Sequence, residues 1–200
     1  MTIHSMGTEK MKELSTRDQI VEAADQLFYQ QGFEATSFAD IAKAVQISRG
    51  NFYHHFKSKD EILESVIHYR LVHIQSLLDH WELEESSPID RIKSFINILI
   101  MNISKIKYYG CPVGTLCTEL AKLNHPSQTN ANRIFSIFRD WLKRQFRLAG
   151  HKKRADELAM HLLGMSQGVA TLASAFQDEK YIKHEVKQMT KWLDKLKPKE

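Results

Sequence analysis

Arg49, Asn51, Tyr53, His54 and His55 place a guanidinium, a carboxamide, a phenol and two imidazoles within seven residues. Such groups hydrogen-bond base edges and phosphate oxygens, and their flat faces stack. They alternate with Phe52 and Phe56, four apart, which turn one apolar side inward if the segment is helical. Just upstream, Phe38, Ile41, Ala42 and Val45 recur at helical spacing and form a second apolar stripe. Two short helices with so little apolar surface cannot make a core alone, so a third must lie beneath them. The predicted unit is a helix-turn-helix whose outer face of donors and rings suits a major groove.

Other chemistries find little support. The ten histidines are scattered, and pairs such as His68/His73 or His151/His161 miss the spacing of four that puts two ligands on one helix face. No phosphate-binding glycine loop, nucleophile elbow or paired-carboxylate signature is present. The expectation is a protein that is not an enzyme, with no metal and no cofactor. The two cysteines, Cys111 and Cys117, fall in one predicted helix, on roughly opposite faces and about 9 Å apart along the axis, too far for a mutual disulfide. Cys111 precedes Pro112 at a helix start, where the dipole favours a thiolate. Two readings of it stay open, a sensor for electrophiles or oxidants and inert packing.

The elements that position the donors can be read outward from them. Ser15, followed three residues later by Asp18, is a helix start, and Ile20, Ala24, Leu27 and Phe28 carry a stripe that stops at Gly32, a candidate C-terminal cap. That supplies the third helix. The run Gly32-Phe-Glu-Ala-Thr-Ser37, then Ile41-Ala42, then Ser48-Arg-Gly-Asn-Phe-Tyr-His-His-Phe-Lys-Ser-Lys59 resembles the N-terminal domain of the TetR family of bacterial repressors, without gaps over residues 16–65. The resemblance implies an all-α protein of about nine helices, a DNA-binding domain over residues 1–58, and an effector-binding and dimerisation domain over 59–200. It implies double-stranded operator DNA, a second copy of the chain and a small-molecule effector as partners. Carried over residue by residue, it assigns DNA contacts to Thr36, Ser37, Ser48, Arg49, Gly50, Asn51, Tyr53, His54, His55 and Lys59. At Gln46, where the family often has glycine, a positive φ would cost on the order of 1 kcal/mol.

Charge refines this picture. The net formal charge is +4, yet residues 1–60 carry seven lysines and arginines against eight acids. The reader is not basic as a whole, so binding must rest on a few placed cations such as Arg49, Lys57 and Lys59, with a moderate salt dependence. No run of eighteen apolar residues occurs, Met1–Gly7 lacks the blocks of a signal peptide, and two cysteines offer no disulfide framework. A cytoplasmic protein without a membrane partner is expected.

The remainder reads as long helices: 59–81, 89–107, 115–123, one ending at Gly150, 153–176 and 180–197. Ile182, Val186, Met189, Leu193 and Leu196 follow at intervals of 4, 3, 4 and 3, the period of a bundle seam. Gly164 and Gly168 lie on the helix before, where small residues permit close approach. Family resemblance implies that these last two helices pair with their two-fold mates, so Gly164, Gly168, Ile182, Val186, Met189 and Leu193 are expected at a dimer interface. The lysines at 183, 187, 191 and 195 form an adjoining, solvated stripe. For the effector pocket the candidates are Cys111, Tyr108, Phe138, Trp141 and Gln167, with Asn97, Asn102 and Thr115 as further polar anchors. The Gly-Cys segment at 110–111 resembles one branch of the family that responds to electrophiles. The rival to a repressor is an interaction protein that keeps the fold without reading DNA.

Overall fold

The computed structural model describes residues 14–196, so the readings of Met1–Gly7 and of residue 197 lie outside the described residues. Ten α-helices and no strand occur among them. They are α1 (Thr16–Gln31), α2 (Phe38–Val45), α3 (Arg49–His55), α4 (Lys59–Glu84), α5 (Pro88–Met101), α6 (Ile103–Tyr109), α7 (Pro112–Lys122), α8 (Gln128–Leu148), α9 (Ala155–Phe176) and α10 (Glu179–Asp194). The segment expected as one helix over 89–107 is two, because Asn102 leaves helical geometry and its side-chain amide donates to the Ile98 carbonyl at 3.0 Å.

Serine begins most of the elements that hold the reader. Ser15, Ser37, Ser48 and Ser58 each accept the backbone N–H of the third helical residue, satisfying a donor that the helix itself leaves open. Ile20, Ala24 and Phe28 of α1, Ile41 of α2 and Phe52 of α3 are buried together with Phe56 and Ile62, closing the small core under the helix-turn-helix. Burying Phe52 and Phe56 contributes about 2–3 kcal/mol each. The core runs without a break into the larger part, where α8 packs along α9 and α4 lies against α8.

The last helix differs from expectation in what it faces. Ile182, Val186, Met189 and Leu193 are all buried within their own protomer, where α10 packs on α5, α9 and α6. These four are therefore core residues and not free for a dimer interface. Their spacing identifies a helix face that must be covered, but not which helix covers it. Gly164 and Gly168 do lie exposed on α9, with open space where a Cβ would stand.

Candidate nucleic-acid interface and effector cavity

The turn between α2 and α3 is tight because Gln46 adopts left-handed geometry, φ 61° and ψ 38°, and its N–H closes the end of α2. Behind α3, Arg17 of α1 lays its guanidinium 4.0 Å from the centre of the Phe56 ring and donates to the His55 carbonyl at 2.9 Å. With Phe52 anchored inside, the opposite side of α3 is turned outward. Ser48, Arg49, Gly50, Asn51, Tyr53 and His54 are exposed there, and His55 is half-buried beside His54. Ser48 caps the helix, Tyr53 packs its ring edge-on against Phe38, and no atom comes within 4 Å of the space a Cβ would take at Gly50. A shallow depression of about 230 Å3 runs between α2 and α3, floored by Phe38, Ala42 and Phe52 and rimmed by Arg49 and Tyr53. Lys43, which the sequence reading passed over, is exposed in the last turn of α2.

Three of the residues assigned to DNA have internal duties. Thr36 is buried, with its hydroxyl donating to the Gly32 carbonyl at 2.7 Å and accepting from Gln31 Nε2 at 3.2 Å. It closes the α1–α2 loop and is withdrawn from the surface. Lys59 is half-buried over the Phe33 ring and donates to the Phe33 and Glu34 carbonyls, both at 3.1 Å, which takes its ammonium out of the outer face. Ser37 is exposed, but its hydroxyl and N–H are engaged by Asp40 in a capping box. Those hydrogen bonds hold the Asp40 carboxyl below its ordinary range.

The larger part contains a cavity of about 260 Å3 bounded by α4 to α9. Its walls are apolar, among them Leu77, Phe95, Leu99, Phe138 and Leu163, with polar groups only at Asn102, Cys111, Ser166 and Gln167. Cys111, Phe138 and Gln167 thus meet at one site. Tyr108 does not: it is exposed on α6. Trp141 is also elsewhere, packed against Trp81 with its indole N–H donating to Glu82 at 2.5 Å. Helical spacing put Trp141 on a helix without saying how that helix was rotated, and the expected helix over 89–107 stopped short of Tyr108, which α6 includes. Asn97 is exposed and Thr115 faces a surface groove. Cys111 is the N-cap of α7, and its sulfur accepts from Gly114 N at 3.5 Å. Cys117 is buried, which pushes its thiol up to about 11, as core packing requires of a neutral group.

Cavity and reader share a wall. Arg70 of α4 pairs with Asp25 of α1 at 2.5 Å and donates to the Pro112 carbonyl at 2.5 Å. Tyr29 of α1 donates to the Gly110 carbonyl at 2.7 Å, and burial raises its phenol far above the ordinary value. Glu119 of α7 accepts the backbone N–H groups of Phe33 and Glu34, each at 2.9 Å. Spacing along a single helix does not reveal these contacts. Arg70 alone left a signal, a charge on the same side of α4 as Val66 and Ile67, where it needs a partner.

Residues 20–66 match the model of bacterial regulatory proteins of the tetR family, and residues 88–188 match that of the C-terminal domain of LmrA/YxaF-like transcriptional regulators. An uncharacterized HTH-type transcriptional regulator from the lacX 3′ region of Lactococcus lactis subsp. lactis is 32% identical over 124 residues, 61% of this chain and 63% of its own. The HTH-type transcriptional repressor DhaR of Mycobacterium sp. (strain GP1) is 27% identical over 135 residues, 66% of this chain and 65% of its own. The chain thus spans just under two thirds of these two relatives' length. A TetR transcriptional regulator from Legionella pneumophila shares the fold, with a TM-score of 0.81 over 91% of this chain and 99% of that one at 24% identity. Matched in both its reader and its larger helical part, this chain belongs to the TetR family of bacterial regulatory proteins.

Proposed function

We propose that this protein is a cytoplasmic transcriptional repressor that binds a palindromic operator as a homodimer and is released when an apolar effector occupies the cavity. The observation that carries the reading is the outer face of α3. Among the described residues, the side-chain donors of Arg49, Asn51, Tyr53 and His54 are exposed and have no hydrogen-bond partner within the protein. Arg49 is placed to reach a guanine edge or a phosphate, Asn51 an adenine, and the open backbone at Gly50 permits close approach. Ser48, Tyr53, His54 and His55 extend the contact along the groove. Residues 1–58 serve as the reader and residues 59–200 as the effector-binding and dimerisation part.

The dimer contact moves to the outer side of α9. Met160, Gly164, Gly168, Leu172 and Phe176 follow there at intervals of four, all exposed, an apolar stripe with small residues at its middle. Such a stripe favours a partner helix over water. Replacing Leu172 by lysine is expected to shift sedimentation from dimer to monomer at micromolar concentration while leaving the helical content unchanged.

A second reading of the release step, covalent capture of an electrophile by Cys111, is favoured by the sulfur's place in the cavity wall. Cys111→Ser separates the two, since release by an unreactive ligand survives that change and release by a thiol-reactive one does not. The test of the whole reading is selection of duplexes from a random pool by the reduced protein, with Arg49→Ala as control. A palindrome enriched by the wild type and lost by the variant is the expected result, with about 1–3 kcal/mol of affinity removed. A folded dimer that enriches no duplex would overturn it and favour the interaction-protein alternative.

A further inference from the structure

The apolar cavity and a surface groove meet at one partition. The groove, about 640 Å3, is lined with hydroxyls from Thr115, Thr118, Thr171 and Ser174. It shares Cys111, Phe135 and Gln167 with the cavity. Across this partition the Gln167 carboxamide donates to Cys111 Sγ at 3.4 Å. A Cβ at Gly114 would stand 2.3 Å from Gln167 Oε1, so the carboxamide occupies the room that the missing side chain leaves. Gly114 has no positive φ to account for it. Glycine weakens a helix where alanine would strengthen it, and in the first turn of α7 the feature it serves is this carboxamide.

We propose that Gln167 gates the cavity from the groove. Lying on Cys111 and Gly114, it closes the partition. Rotated toward the hydroxyls, it opens a passage between α7, α8 and α9. A hydrogen bond to sulfur is weak, and Gln167 is a long, half-buried side chain, so the closed position is held lightly. What passes is a molecule with an apolar body for the interior and one hydrogen-bonding end, which replaces the carboxamide at the partition or meets the threonines outside. The inference rests on the reading of the cavity as a ligand site.

The test uses stopped-flow uptake of 1-anilinonaphthalene-8-sulfonate, an apolar body with one polar end, by the full chain. Gln167→Ala removes the gate, and Gly114→Ala pushes the carboxamide off its seat while favouring the helix. Both variants are expected to raise the association rate constant about three- to tenfold, the range one weak hydrogen bond commands; in Gly114→Ala, which keeps the carboxamide, the dissociation rate constant rises with it and Kd stays nearly unchanged. Leu99→Trp, which fills the cavity from α5, is expected to abolish uptake. Rates equal to wild type in both variants, uptake that survives Leu99→Trp, or no uptake by any of the proteins would overturn the gate. Circular dichroism confirms that each variant is folded. Because the readout is dye kinetics and not operator binding, a failure here is distinct from a failure of the repressor reading.

Discussion

Whether a polar side chain serves the fold or a ligand depends on where its hydrogen bonds go, and Thr36 and Arg49 stand at opposite ends. Thr36 spends both sides of its hydroxyl inside the α1–α2 loop. Thr36→Val leaves the partly buried Gly32 carbonyl unpaired and is expected to cost about 1–3 kcal/mol in urea unfolding. Operator affinity per folded molecule should stay the same; a loss of that affinity instead would return Thr36 to the phosphate contacts. His151, buried in the loop between α8 and α9, has its pKa lowered by that burial and by the charge of Arg154. The unfolded imidazole, with its ordinary value of 6.5, takes up a proton at a pH where the folded one does not. Stability therefore rises with pH across this window and falls as the pH drops below 6.5 toward the folded value. His151→Gln is expected to flatten the slope of unfolding free energy between pH 5 and 7, read by denaturant titration at several pH values.

At the scale of the element, local signals were dependable where the chain satisfies itself. The serine cap of α1 could be read from sequence because it serves an N–H group of its own first turn, worth about 1 kcal/mol, whereas Ser37 and Ser48, assigned to DNA, cap α2 and α3 in the same way. Gln46 was legible through the family resemblance instead: glycine is frequent at that position, which points to a positive φ, and the turn has it at 61°. Gln46→Gly relieves the left-handed strain and is expected to stabilise the reader by about 0.5–1 kcal/mol, measured as a higher Tm. No gain would mean that the glutamine side chain offsets its own strain. The seam on α10 shows the limit. Its period was right, and its partner proved to be α5, α9 and α6 of the same chain.

At the scale of the molecule, the reader hangs on the wall of the cavity. The turn from Gly110 to Val113 faces the cavity with Cys111, Pro112 and Val113 and gives two of its carbonyls to Tyr29 and Arg70. Any displacement of that turn by a ligand is thus felt by α1 and α4, which carry the helix-turn-helix. Arg70 and Asp25 are 7% and 14% exposed, so removing one charge strands the other. Arg70→Met is expected to destabilise the protein by about 3–5 kcal/mol. The pair of changes Arg70→Met with Asp25→Leu should recover most of that loss. A double variant as unstable as the single one would mean that the Pro112 carbonyl, and not the buried aspartate, accounts for the cost.

The sequence by itself determined the all-helical class, the helix-turn-helix with its outward donors, the strained turn at Gln46 and the family. These follow from spacing along one helix, from caps that act within a turn, and from an ungapped run of residues. The tertiary structure alone decided that Thr36 and Lys59 face inward, that Tyr108 and Trp141 lie away from the cavity, and that the α10 seam is spent inside its own protomer. It also brought Arg70, Tyr29 and Glu119 onto their partners. Each of these depends on how one helix is rotated against another distant in the chain, and periodicity identifies an apolar face without naming what covers it.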